Sequence, residues 1–246
     1  MLDDKYIEEL VKKAAEFGNG KIHIIVNNAG YTWDGVIHKV CKRFPLPHIP
    51  RVPQGSALPA RLRAELTVPA SLQMTDKQWN TILALHSTAP FKLVRAAAPY
   101  FRVKDGSPRN IINISSTSGL HGNAGQANYA QAKAGVVGLT KTIAKEWGPQ
   151  FGVRANTVAF GHILTRLTRA KEAGAFVTTP DGDRVALGIP LAQKAAGPGG
   201  GDQHLDIPLR RPGSATEAAS AVLAVASPLF SYVSGQTLSV TGGRNM

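Results

Sequence analysis

The chain reads as an α/β protein on a doubly wound parallel sheet, and three observations predict it. Four short runs, KIHIIVNNAG, NIINISS, VRANTVAFG and QTLSVTGG, are largely apolar and β-branched and stop at Asn, Ser or Gly. Strands buried on both faces look like this, whereas half-exposed strands alternate. Stretches of helical periodicity separate most of these runs, the pattern of a parallel sheet covered by helices on both faces. Finally, 246 residues with 43% hydrophobic and 18% charged content can bury a substantial core.

Taken in order, residues 3–17 place Ile7, Leu10, Val11 and Ala14 on one helical face with the charges opposite. The first strand follows and ends at Asn-Asn-Ala-Gly. Residues 75–102 read as one long helix, with Thr75 as N-cap and Gln78 three residues on as its capping-box partner. NIINISS is the next strand, NYAQAKAGVVGLTKTIAKEWG the next helix, and VRANTVAFG a strand ending in Gly161. ATEAASAVLAVAS is the last helix and QTLSVTGG the last strand. In such sheets the ligand crevice opens beyond the carboxyl ends of the strands. Asn27–Gly30, Ser115–Ser118 and Phe160–Thr165 should therefore meet in one cleft. The polar stretch 166–212, with its loop AAGPGGGDQ, follows a cleft-forming strand, which suits a lid better than an idle surface insertion.

The bulk properties narrow the classes. The net charge is +12, but the basic residues are scattered without a basic helix, aromatic platform or finger spacing, so nucleic acid is not an expected partner. No apolar run approaches the ~18 residues of a membrane helix, and no metal-ligand spacing stands out. The charged start MLDDKYIEELVKKAAEF has no signal-peptide core, and the single Cys41 excludes an internal disulfide, so cytoplasm is the expected location.

The chemistry is concentrated in SSTSGLHGNAGQANYAQAK, residues 115–133. Tyr129 and Lys133, four apart, share a helical face. Ser116 lies on a strand end that faces them. A nearby ammonium stabilises phenolate and should lower a phenol pKa of ~10, while a serine hydroxyl can bind an oxygen on which charge develops. Together with NNAG at 27–30, Ile163 and Thr165 after VRANTVAFG, and SGQTLSVTGG, these residues resemble the short-chain dehydrogenase/reductase family, specifically its 3-oxoacyl-acyl-carrier-protein reductase branch. The likeness covers residues 1–39 and 74–246. It implies a Rossmann-like fold and an NAD or NADP cofactor bound by Asn28, Ala29, Gly30, Tyr129, Lys133, Gly161, Ile163 and Thr165. It also implies that Ser116, Tyr129 and Lys133 reduce a small-molecule carbonyl to an alcohol, with Tyr129 as general acid/base. Association into a homo-oligomer through the helices containing 75–102 and 127–147 is implied as well.

Four departures qualify the likeness. His86 stands where the family usually has an asparagine; it is a catalytic candidate that holds water or relays a proton, or it is a packed helix residue. Phe160 replaces a common proline. The Gly-rich pyrophosphate turn of such folds is not found, so the expected architecture is a Rossmann-like doubly wound parallel sheet lacking its first two βα units, about 70 residues. Residues 40–73 carry six of the sixteen prolines and no periodicity, which predicts an irregular insertion in an otherwise single domain spanning 1–246. Val40-Cys41, Leu66-Thr67 and Gln73 can be encoded by GTATGT, CTGAC and CAG, resembling intron donor, branch and acceptor signals. A translated intron and a lineage-specific loop are both open. For function, the alternative to an oxidoreductase is a non-catalytic remnant that keeps only the association surface.

Overall fold

A computed structural model describes residues 3–37, 73–189 and 204–245. Its centre is a four-stranded, all-parallel sheet in the order β1-β2-β3-β6. The strands are β1 (Ile24–Asn27), β2 (Arg109–Ser116), β3 (Val153–Phe160) and β6 (Thr237–Val240). Register follows the apolar runs, with Ile111 opposite Ala155 and Ile25, and Ile114 opposite Val158. Successive residues of β2 feed opposite faces. Ile111 joins Val11, Val94, Phe101, Ile143 and Trp147 under helices α1 (Asp4–Phe17), α3 (Ala89–Phe101) and α5 (Ala127–Phe151). Ile112 and Ile114 join Val158 and Val225 under α6 (Ala215–Ala226). The doubly wound parallel architecture is thus present, with β1 at one edge of the described sheet, where Ile24 is 50% and Val26 41% exposed.

On α1, Asp3 caps the helix through the Lys5 N–H, and the buried line is Ile7, Val11 and Ala15. Leu10 and Ala14 face outward, contrary to the sequence reading, because the helix is covered along one narrow i, i+4, i+8 stripe. The 75–102 helix starts as expected, with Thr75 and Gln78 exchanging reciprocal capping bonds of 3.2 and 2.7 Å. It is not continuous: α2 (Asp76–Leu83) opens into a π turn at Ala84–Thr88 before α3 begins. The Ala89 N–H reaches back to the Ala84 carbonyl across this widened turn. Pro90, at the start of α3, has no N–H and would press on the carbonyl of residue 86 in a regular helix, so the wider turn relieves both problems.

Beneath α5 a polar ladder crosses the sheet. Asn27 Nδ2 donates to Asn113 Oδ1 (2.7 Å), and Asn113 Nδ2 to Thr140 Oγ1 (2.8 Å). Thr157 Oγ1 also donates to Thr140 Oγ1 (2.8 Å), which in turn donates to the Val136 carbonyl (2.7 Å). All four side-chain partners are buried.

The stretch after β3 is more ordered than its composition suggests. Following α4 (Thr117–His121) and α5 in the chain order, it forms a 3-10 turn at Lys171–Ala173 and an antiparallel hairpin of β4 (Phe176–Thr178) and β5 (Arg184–Ala186). Lys77 of α2 pairs with Asp183 (2.6 Å) and Asp181 (3.3 Å) at the hairpin tip. AAGPGGGDQ lies outside the described residues, as do Cys41 and residues 38–72 of the proline-rich segment. The flanks of that segment meet: Val36 bridges Gln73, and the Met74 N–H donates to the Val36 carbonyl at 2.9 Å. Among the described residues, no helix is long and apolar enough to cross a membrane.

Candidate active site

The carboxyl ends of β1, β2 and β3 open into a cleft of about 920 Å³. Asn28, Gly30, His86, Ser116, Tyr129, Lys133, Gly161, Ile163 and Thr165 all line it, so the three predicted strand ends do converge. Ala29 lies between two lining residues but does not itself line the cleft.

Each wall has a local cause. Ser116 is the last residue of β2 and N-caps α4, its Oγ accepting the Ser118 N–H at 3.2 Å. That bond fixes the oxygen on the cleft wall, which Tyr129 also lines. Tyr129 and Lys133 sit in the first turns of α5. The helix is docked on β2 by the Ser115 hydroxyl donating to the Lys133 carbonyl (2.7 Å). Gly119 lets α4 lie against α5, since a Cβ there would stand 2.7 Å from Lys133. Gly161 similarly lets the β3 turn press on Thr241. Phe160 packs into the Ile112–Ile114–Val158 cluster.

The electrostatics differ from the sequence reading. Lys133 Nζ donates to the Ile114 carbonyl at 2.7 Å and stands 5.6 Å from the centroid of the Tyr129 ring. Burial lowers its pKa to about 8. The Tyr129 phenol is pushed up to about 12, chiefly by burial; the Asp34 charge adds to this, and the Ser116 hydrogen bond opposes it. The phenol is therefore a protonated donor at neutral pH, held so by the depth of its site.

His86, carried by the π turn, is 3% exposed. Its Nε2 stands 2.7 Å from the Tyr31 carbonyl, which makes Nε2 the protonated nitrogen, and Nδ1 is buried with no partner among the described residues. The ring meets Tyr129 edge-on at 5.1 Å. Burial first, then the Lys133 charge, lowers its pKa to about 3, so the imidazole is neutral. Gly30 is what admits it: a Cβ on that residue would stand 2.0 Å from His86 Cε1.

Sequence reasoning gave no role to Asp34 or Gln126, and placed Ser118 only among the strand-end residues of the cleft. Gln126 Nε2 donates to Asp34 Oδ2 (3.0 Å), and Gln126 Oε1 accepts from Ser118 Oγ (2.9 Å) and Asn123 Nδ2 (3.0 Å). Asn128 also escaped notice; its Nδ2 donates to the Trp33 and Gln78 carbonyls, both at 3.1 Å. No short motif signals the Asp34 and Asn128 contacts, which join residues far apart in the chain.

The short chain dehydrogenase family model matches residues 66–175. The 3-oxoacyl-[acyl-carrier-protein] reductase FabG of Vibrio cholerae is 34% identical over 238 residues, spanning 97% of this chain and 72% of that protein. The chain belongs to the short-chain dehydrogenase family. Two further reductases of that name agree: the Escherichia coli K12 protein at 33% over 245 residues (99% of this chain, 75% of that protein) and the Thermotoga maritima protein at 30% over 243 (98% and 73%). As a short-chain dehydrogenase of this reductase-like branch, the chain is an oxidoreductase. The family's nicotinamide cofactor belongs in a crevice at the strand carboxyl ends, where this cleft lies.

Proposed function

We propose that the chain reversibly reduces the carbonyl of a small molecule, a ketone or 3-oxoacyl compound, to an alcohol, using NADPH or NADH. One observation carries this: the Ser116 hydroxyl, the Tyr129 phenol and the Lys133 ammonium face one cleft. The names of the relatives favour a 3-oxoacyl substrate.

The lining residues fit a nicotinamide nucleotide. Lys133 gives one N–H to Ile114 and has further donors for a ribose hydroxyl. Asn28, Gly30, Gly161, Ile163 and Thr165 form walls that would hold the nicotinamide end of the cofactor. When bound, the cofactor supplies the hydride. The Ser116 hydroxyl orients the substrate oxygen and stabilises charge that develops on it. Tyr129 delivers the proton to that oxygen, and in the oxidative direction takes it back. Lys133 supports the phenolate left behind. His86, neutral and wedged against Tyr129, holds the phenol ring in place and offers Nδ1 to a water. The segment flanking the hairpin, with Leu187, Gly188 and Ile189 on the cleft wall, covers the substrate. Association into a homo-oligomer would use the outer faces of α3 and α5, where Phe91 lies exposed under Arg95.

The exposed edge of β1 favours a second reading, a chain that associates through open strand and helix surfaces without catalysis. Fluorescence titration with NADPH and NADH separates the two. Saturable binding, with reduction of a 3-oxoacyl thioester lost in Tyr129→Phe, is the expected result. No binding up to millimolar cofactor would leave only the second reading.

A further inference from the structure

The β4–β5 hairpin joins two walls of the cleft. Its root follows β3: the Ile189 N–H donates to the Arg169 carbonyl (2.8 Å), and the Lys171 N–H to the Ile189 carbonyl (3.0 Å). Leu187, Gly188 and Ile189 line the cleft there, as do Arg166, Leu167 and Thr168. Gly188 lets the root close on itself, with φ +107° and a Cβ that would stand 2.7 Å from the Arg169 carbonyl oxygen. The tip reaches the other wall. Lys77 Nζ lies 2.6 Å from Asp183 and 3.3 Å from Asp181, and the neighbouring Gln78 holds the loop after β1 through the Asp34 carbonyl (3.2 Å). Thr32 and Asp34 of that loop line the cleft.

β2 lies between β1 and β3 in the sheet. A ribbon rooted after β3 and tied beside the loop that follows β1 therefore crosses the end of β2, where Ser116 stands. The ribbon keeps its own shape. Three ladder pairs join its strands, the Thr179 N–H donates to the Asp183 carbonyl (2.8 Å), and the Asp183 N–H donates to Thr179 Oγ1 (3.1 Å). Thr179 and Val185 are buried while Phe176 is exposed, so one side lies against the body of the protein. Its two attachments differ in kind: the root is held by backbone hydrogen bonds, the tip by ion pairs between largely exposed groups. Such pairs contribute little, so the tip releases before the root.

We propose that the β4–β5 hairpin is a strap across the mouth of the cleft, shut in this structure, and that Lys77 with Asp181 and Asp183 forms the latch that opens to pass ligands. The inference rests on the reading that the cleft takes a nicotinamide nucleotide and a carbonyl compound, but the closure itself is measured without either.

The test reads access to the cleft in the ligand-free full chain. In a Cys41→Ser background, Thr32→Cys reports on the cleft, and Glu9→Cys, on the exposed side of α1, reports on bulk solvent. Both are labelled with a maleimide carried on polyethylene glycol. Asp181→Lys together with Asp183→Lys gathers three ammonium groups at the latch. It should speed labelling at position 32 about fivefold or more, the effect of one unit-charge interaction at ion-pair distance in water. Adding Lys77→Asp restores the attraction and should return the rate to that of the parent, while position 9 labels equally in all three chains. Equal rates at position 32 throughout, a fast rate that Lys77→Asp does not reverse, or faster labelling at both positions overturns the proposal. A latch that responds as expected in a chain that binds neither NADPH nor NADH would instead count against the reductase reading alone.

Discussion

Replacing Gly30 with alanine isolates the contact on which the His86 geometry depends. The new Cβ would stand 2.0 Å from Cε1, 2.7 Å from Nδ1 and 2.9 Å from Nε2 of His86. All three distances are below what real Cβ atoms show, so the ring must move. It is 3% exposed, edge-on to Tyr129 and bound to the Tyr31 carbonyl at 2.7 Å, and no displacement keeps all of these. Overpacking costs about 1–3 kcal/mol, and a buried donor left without its acceptor about 1–3 kcal/mol. A loss near 3 kcal/mol corresponds to roughly 6–12 °C in Tm for a chain of this length. Differential scanning calorimetry of Gly30→Ala, His86→Ala and the double variant measures it. Alanine at 86 vacates the space, so the two losses should fail to add by about 2 kcal/mol. A Gly30→Ala protein melting within about 2 °C of wild type, or strictly additive losses, would refute the steric argument.

Three other outcomes are expected. Burial holds His86 neutral down to about 3 against an ordinary value of 6.5, so the unfolded chain takes up its proton first. Stability present above pH 6.5 should drain away as pH falls toward 3, by up to roughly 4–5 kcal/mol, and His86→Gln should flatten the urea midpoint over that window. Lys77→Ala should speed amide exchange in the β4–β5 hairpin only slightly, since such exposed pairs contribute little; high salt should mimic it, and a hairpin indifferent to both would show that other contacts hold it. Because Val36 and Gln73 are neighbours, replacing residues 38–72 with a short Gly-Ser linker should leave the Tm within about 3 °C, whereas aggregation of that variant would mean the segment is integral to the fold.

The sheet was legible because burial on both faces leaves largely apolar runs, and Ile111–Ile114, broken only by Asn113, is such a run. Ser116, Tyr129 and Lys133 were legible because a strand end and an i, i+4 helical pair fix their directions locally. The inward turn of His86 was not, since it depends jointly on Pro90 along the helix and Gly30 across the cleft. Asp34 was hidden for a similar reason: it joins the site through Gln126, 92 positions away. The elevated phenol of Tyr129 escaped because depth of burial, unlike the Lys133 spacing, is not written in any window of sequence. The β4–β5 hairpin has strands of only three residues each, partly exposed, so neither is long enough to show a strand period.

The ladder from Asn27 through Asn113 and Thr140 to Thr157 imposes a rule on how this interior can change. Turning Asn27, Asn113 or Thr140 alone into an aliphatic residue strands its neighbour's polar atoms where water does not reach, a cost of about 1–3 kcal/mol for each orphan. Converting every rung together would leave no orphan and could be nearly neutral. Viable descendants of this chain should therefore keep the set whole or exchange it as a block, and half-converted intermediates should be the ones that fail to accumulate as folded protein.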